Sequence, residues 1–252
     1  MKKKTLDQDL SRIICSAREV AGRLWDKGWA EKNAGNFSVN ISTRRSRGFE
    51  LSAPSKLGQR YPALARQSLL VTASGSRMRD LARDPMPYLG IIRIGERGDT
   101  YQTAVMDRAR PRFIPTSELP SHLAIQESFI KRRSDNRVIL HTHPDELVAM
   151  THLLVGQNAR ELNLILRAMH PEVEYFLPRG VGLVPFLQPG SPALGGASVR
   201  ALQHHDIVLW ERHGCLAAGT DILEVFDLID VLNKAAKIYF LVRRAGFSGD
   251  RS

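Results

Sequence analysis

The apolar residues of this chain change period as it runs, and that change most narrows the folds open to it. Between residues 37 and 105 extended segments prevail: Phe37, Val39 and Ile41 alternate with polar neighbours, and Ser68 to Thr72, Leu89 to Ile94 and Tyr101 to Val105 read as further strands. Ahead of this block, Leu10, Ile13, Ile14, Ala17, Val20, Ala21 and Leu24 recur at helical spacing, and Lys27-Gly28 supplies a cationic last turn and a C-cap glycine. Behind it, helical and extended segments are interspersed. Ser117-Glu118 before Pro120 opens a helix to about Arg133, and Val138 to Leu140 is a short apolar strand running into His141-Thr142-His143-Pro144. A helix from Asp145 to Leu154 follows, then a helical Leu162 to Met169, an extended Tyr175 to Leu177 and an irregular connection from Pro178 to Pro189. Ile207 to Trp210 is the last strand, and Thr220-Asp221 caps a final helix with Ile222, Val225, Phe226, Ile229, Leu232 and Ala236 on one face. Helices flanking a run of strands imply a layered α/β/α domain around a mixed sheet.

The chain has 252 residues, 43% of them hydrophobic, which is enough for one substantial core. No internal repeat or break in composition marks a second domain. The expectation is a single domain over 1–252, with Met1 to about Asp9 and Ser248 to Ser252 flexible. Charged residues at 25%, with 19 Gly and 13 Pro, exclude a disordered or collagen-like chain. No apolar stretch approaches the ~20 residues that span a bilayer, and Met1-Lys2-Lys3-Lys4 leads into an amphipathic segment rather than a signal-peptide core, so a cytoplasmic protein without a membrane partner is expected. The net charge of +10 raises nucleic-acid binding or an anionic substrate. Its basic clusters, at 44–47, 108–112, 131–133 and 243–244, are short, scattered and not interleaved with stacking aromatics, which argues against nucleic acid.

Two cysteines, Cys15 and Cys215, can form neither a disulfide framework nor a four-thiolate metal site, so a metal would have to be held by histidine and carboxylate. His141 and His143 lie two apart at a strand end and project to the same side, close enough to share an ion. With 8 histidines in the chain such a pair arises by accident with a probability of about a quarter, so spacing alone is a weak signal. Position strengthens it: the pair follows a buried strand, and His213 sits just past the next clear strand, before Gly214. Three imidazoles arriving from strand ends match an open zinc site with room for substrate. Two small-residue loops, Asn33-Ala34-Gly35-Asn36 and Ala73-Ser74-Gly75-Ser76, could present N–H groups to a phosphate or could be plain turns.

Taken together, Lys27-Gly28-Trp29 with Asn33-Ala34-Gly35-Asn36, Val71-Thr72-Ala73-Ser74-Gly75, Pro115-Thr116-Ser117-Glu118-Leu119-Pro120, His141-Thr142-His143 and Arg212-His213-Gly214 resemble the class II, zinc-dependent sugar-phosphate aldolase and adducin-like family. The blocks run in order from about residue 12 to residue 244. Leu81-Ala82-Arg83-Asp84-Pro85 and Pro178-Arg179-Gly180-Val181-Gly182 resemble its rhamnulose branch in particular. The resemblance implies a three-layer α/β/α domain with a mixed, largely antiparallel sheet, and retro-aldol cleavage of a ketose 1-phosphate, best matched by L-rhamnulose 1-phosphate, to dihydroxyacetone phosphate and an aldehyde. It implies one Zn2+ per chain on His141, His143 and His213, with Glu118 as the carboxylate that closes the resting metal site and acts as general base. Asn33, Gly35, Asn36, Ser74, Gly75, Thr116 and Ser117 would bind the phosphate. Glu172, with Glu174 as the alternative, would contact the aldehyde half from a neighbouring subunit of a C4 homotetramer.

The chemistry suits these residues. Neutral imidazoles leave a zinc ion its full charge to stabilise an enediolate, and a carboxylate beside the cation stays ionised to act as base. Other activities of the family share the same histidines: fuculose- or ribulose-phosphate aldolase, pentose-phosphate epimerase and methylthioribulose-phosphate dehydratase. A zinc hydrolase or hydratase would leave the phosphate loops unexplained, and a non-catalytic adducin-like scaffold would leave the histidines and Glu118 without a use.

Overall fold

The extended block and the later strands build one sheet. The computed structural model describes residues 8–42, 50–107, 112–153 and 159–246. The terminal segments expected to be flexible lie outside these apart from Gln8 and Asp9, which already belong to the first helix, and the basic runs at 44–47 and 108–111 lie outside them too. Nine strands, β1 (Asn36–Asn40), β2 (Ser55–Lys56), β3 (Ser68–Thr72), β4 (Leu89–Ile94), β5 (Thr100–Val105), β6 (Val138–Thr142), β7 (Val181–Val184), β8 (Ile207–Trp210) and β9 (Gly214–Gly219), take the order β2-β5-β4-β3-β1-β6-β9-β8-β7. Every pairing is antiparallel except β7 with β8, which is parallel. The sheet is therefore mixed and largely antiparallel.

Among the described residues eight α-helices cover it: α1 (Gln8–Asp26), α2 (Met78–Arg83), α3 (Leu119–Lys131), α4 (Asp145–Leu153), α5 (Ala159–Met169), α6 (Glu172–Phe176), α7 (Pro192–Ala201) and α8 (Ile222–Arg244). Successive strand residues feed opposite layers. Leu70, Leu140 and Leu209 face a core with Leu24 of α1 and Phe226 of α8. Ile139, Val208 and Leu216 face Ile125 and Phe129 of α3 and Leu194 of α7, and Leu69 and Val71 face Leu123. In α1 the buried positions Leu10, Ile14, Ala17, Val20, Ala21 and Leu24 form the stripe expected from their spacing. Gly28, at φ 75°, reverses the chain after it, and Trp29 N–H returns to the Leu24 carbonyl at 2.9 Å. Asp221 caps α8 by accepting from Leu223 N–H at 2.8 Å. Among the described residues no helix is long and apolar enough to cross a membrane.

Three segments differ from their sequence expectation. The stretch Tyr175 to Leu177 is not extended: Tyr175 and Phe176 end α6, because Val173 and Leu177, four apart, are both buried in the larger core while Tyr175 is 77% exposed. Within the supposedly irregular Pro178 to Pro189 run lies β7, an edge strand joined to β8 by the α7 crossover. Ile207 to Trp210 is not the last strand either, since β9 follows after a three-residue turn in which Arg212 holds φ 56°. Gly-Cys-Leu-Ala-Ala-Gly has little strand propensity, but this strand is buried and central and its small residues let α8 come close. A Cβ on Gly219 would lie 2.7 Å from Val225 Cγ2.

Candidate active site and metal centre

In an antiparallel sheet the start of one strand lies beside the end of the next, so residues far apart in sequence meet at one edge. Asn36 at the start of β1 pairs with His141 near the end of β6, and Thr142 pairs with Cys215 near the start of β9. The end of β3 continues into Ala73, which bridges to Pro115 and brings the 115–118 segment alongside. These ends surround a cleft of about 340 Å³ lined by Glu31 to Asn36, Ala73 to Gly75, Thr116 to Glu118, His141, His143 and His213.

The three histidines form one cluster, with one ligand atom of each lying within 4.8 Å of the others. His141 Nδ1 is 2.8 Å from the Cys215 carbonyl, and His143 Nδ1 is 2.9 Å from Glu31 Oε1. Both partners only accept, so each Nδ1 carries the hydrogen, and an imidazole protonated there alone turns a lone pair out through Nε2. Those two Nε2 atoms face each other at 3.1 Å. Two lone pairs at this range repel unless a cation lies between them, and about 3.3 Å is the nitrogen separation that tetrahedral zinc with ~2.05 Å bonds imposes. His213 Nδ1 is buried and has no hydrogen-bond partner, a second orphan in the same cluster. The donor set thus fits a divalent ion, and the outward hydrogen bonds from His141 and His143 are of the kind that orient metal-binding imidazoles. Burial, reinforced by the charges of His143 and His213, holds His141 well below the usual imidazole range. Burial first, then His143, lowers His213 to about 4. Trp210 closes the floor, its ring 4.5 Å from His141 and stacked 5.2 Å from His213.

Glu118 leads into α3 and is 7% exposed. Its Oε2 lies 3.7 Å from His141 Nε2 and its Oε1 lies 3.6 Å from His213 Nε2, so the carboxylate faces the cluster with both oxygens. Burial raises its pKa above the usual carboxylate range, opposed by a hydrogen bond from Asn36 and by the charge of His143. Asn36 Nδ2 donates to Oε2 at 3.0 Å, which ties this side chain to the carboxylate. Asn33, Gly35, Ser74, Gly75, Thr116 and Ser117 all line the cleft, with Gly35 at φ 81° and Gly75 at φ 73°. Thr116 Oγ1 accepts from Glu118 N–H at 3.3 Å, leaving its own hydroxyl hydrogen to donate.

Glu172 and Glu174 stand apart from this cluster: both are exposed on α6 and neither lines the cleft. Glu31 and Lys32 do line it, and neither was singled out in the sequence. Lys32, at φ 49°, brings a cation to the loop that carries Asn33. A charged pair directly ahead of a glycine-bearing loop was the available signal.

A family model described as the class II aldolase and adducin N-terminal domain matches residues 16–240. A rhamnulose-1-phosphate aldolase of Bacteroides thetaiotaomicron is 39% identical over 247 residues, 96% of this chain and 90% of that protein. Among solved structures, a sugar-phosphate aldolase from Thermotoga maritima is 34% identical with a TM-score of 0.84, covering 94% of this chain and 97% of its own. An L-fuculose-1-phosphate aldolase from Thermus thermophilus shares the fold, with a TM-score of 0.62 at 20% identity and coverage of 96% and 100%.

Proposed function

The chain belongs to the class II aldolase and adducin family, and from that premise we propose that it cleaves a ketose 1-phosphate, L-rhamnulose 1-phosphate foremost, to dihydroxyacetone phosphate and L-lactaldehyde. The observation that carries the reading is a carboxylate, Glu118, facing three clustered imidazoles at 3.6 and 3.7 Å in a cleft walled by two left-handed glycine loops. His141, His143 and His213 would hold one divalent ion, zinc by its preference for imidazole ligands. When bound, that ion supplies a Lewis acid for the carbonyl that receives the electron pair of the broken bond.

The remaining work falls to the chain. Glu118 takes the proton from the C4 hydroxyl as the C3–C4 bond breaks and that oxygen becomes the aldehyde carbonyl; the pair left on C3 later regains a proton to give dihydroxyacetone phosphate. The phosphate is remote from the bond being broken, and its ~ −2 charge supplies binding energy that orients the reacting carbons. Asn33, Gly35, Ser74, Gly75, Thr116 and Ser117 receive it, with Lys32 adding a charge from the same wall. Asn36, bound to Glu118, orients the base instead.

Residues 1–252 act as one catalytic domain in a C4 homotetramer. Glu172 or Glu174 contacts the aldehyde half in a neighbouring subunit's cleft. Support comes from their exposure on α6 beside an uncovered aromatic pair, Tyr175 and Phe176, whose ring centroids lie 4.8 Å apart. A cytoplasmic site of action suits the two free thiols, Cys15 and Cys215. The test is release of dihydroxyacetone phosphate from a panel of ketose 1-phosphates, with and without a chelator. Turnover of none of them, or turnover indifferent to the chelator, overturns the reading.

A further inference from the structure

A row of buried polar groups runs from the base into α3, away from the cleft. His122 is fully enclosed, with Nε2 at 2.6 Å from Asn36 Oδ1 and Nδ1 at 2.8 Å from Ser38 Oγ. Gln126 Nε2 lies 3.2 Å from the same Ser38 Oγ and 2.9 Å from the Arg137 carbonyl. Four groups of this row could each be turned end for end: the amides of Gln126 and Asn36, the imidazole hydrogen of His122 and the hydroxyl of Ser38.

The far end removes that freedom. A backbone carbonyl can only accept, so Gln126 must present its nitrogen to Arg137, and the same nitrogen donates to Ser38 Oγ. Ser38 then directs its hydrogen to His122 Nδ1. Were His122 to donate from Nδ1 instead, the Ser38 hydroxyl would accept twice and its own buried hydrogen would have no acceptor in the row, at a cost comparable to a lost hydrogen bond. His122 is therefore Nε2–H and donates to Asn36 Oδ1. Asn36 must turn its nitrogen to Glu118 Oε2. With the opposite amide orientation, two oxygens would confront each other at the 3.0 Å of that contact.

We propose that His122 is a positioning residue: with Ser38 and Gln126 it locks the Asn36 amide so that an N–H meets Glu118 Oε2, which fixes the carboxylate against the histidine cluster. Deep burial lowers the His122 pKa to about 3, so the ring is neutral at working pH and has a single hydrogen to place. The catalytic part of the inference rests on Glu118 being the base; the hydrogen-bond direction does not.

The experiment has two arms on the full chain. Nitrogen NMR of 15N-histidine-labelled protein reads the His122 tautomer directly: Nε2–H is expected from pH 8 to 5, and Nδ1–H overturns the proposal whether or not the protein is an aldolase. Kinetics of His122→Gln and His122→Leu give the second arm. A glutamine amide nitrogen falls near the position of Nε2 and can still donate to Asn36, so kcat should lie at least about tenfold above that of the leucine variant, with KM for the ketose 1-phosphate alike in both, because a base out of line loses rate rather than binding. A packing role predicts the reverse order, since buried leucine needs no partner and buried glutamine does. Leucine equal to or faster than glutamine overturns the proposal, and if the leucine variant does not fold the tautomer decides. Wild-type protein without aldolase activity but with the Nε2–H tautomer would refute the assigned reaction and leave the hydrogen-bond direction standing.

Discussion

Gly214→Ala isolates the histidine cluster from the rest of the fold. Gly214 opens β9 directly beneath the cluster, and a Cβ there would lie 2.5 Å from the Thr142 carbonyl oxygen, 2.7 Å from His143 Cδ2 and 3.0 Å from His141 Cε1. Carbon atoms rest at about 3.5 Å or more, so the His143 ring is short by ~0.8 Å and the His141 ring by ~0.5 Å. The carbonyl cannot withdraw, because Thr142 and Cys215 are paired across β6 and β9. The rings must move. Metal-ligand bonds tolerate only about 0.2 Å, so the displacement exceeds the tolerance severalfold. Divalent-ion affinity should drop by at least ~10- to 100-fold, the size of effect seen when ligand orientation is lost. The overpacking itself should destabilise the fold by only ~1–3 kcal/mol. Metal content after dialysis against a buffered zinc series, with melting followed in parallel, separates the two effects. Wild-type zinc affinity in a folded Gly214→Ala protein would refute the reasoning and the metal assignment together.

Glu118→Gln should keep the fold and the ion but lower kcat by at least ~10²-fold, the lower bound for losing a general base; cleavage of the ketose 1-phosphate at nearly the wild-type rate would assign the base elsewhere. His143→Ala should lose the divalent ion, and unchanged metal content on analysis would sink the cluster as its site. The His122 imidazole takes a proton near its ordinary 6.5 in the unfolded chain but only at about 3 in the folded one, so its contribution to stability is present above pH 6.5 and is lost as pH falls. Between pH 7 and pH 5 the wild type should therefore lose about 2 kcal/mol more than His122→Gln in urea titrations, and parallel curves for the two proteins would contradict the burial argument. Light scattering should report a tetramer at micromolar concentration; a monomer would leave Glu172 and Glu174 with no site to complete.

The pattern of apolar residues by itself determined β1, β3, β4 and β5, the long first and last helices and the layered arrangement, because each rests on which residues of a single element are buried, whereas the exposed pair Ser55-Lys56 of β2 carries no such pattern. The order of short motifs carried the family. Local pattern failed where burial came from elsewhere. The small residues of β9 become a strand only because β6, β8 and α8 enclose them, and the helix at Tyr175 exists only because the core receives Val173 and Leu177 together. The candidate site divides in the same way. His141 and His143 are two residues apart, so the chain alone could pair them. The position of His213 just past a strand made it the third candidate, and the sheet sets it beside the pair because Gly214, with no side chain, lets the start of β9 lie against the end of β6. Glu31 at His143, and Asn36 held between Glu118 and His122, were invisible in the sequence. A hydrogen bond between side chains 82 or more positions apart leaves no local pattern, and its direction was decided by a backbone carbonyl at the far end of the row.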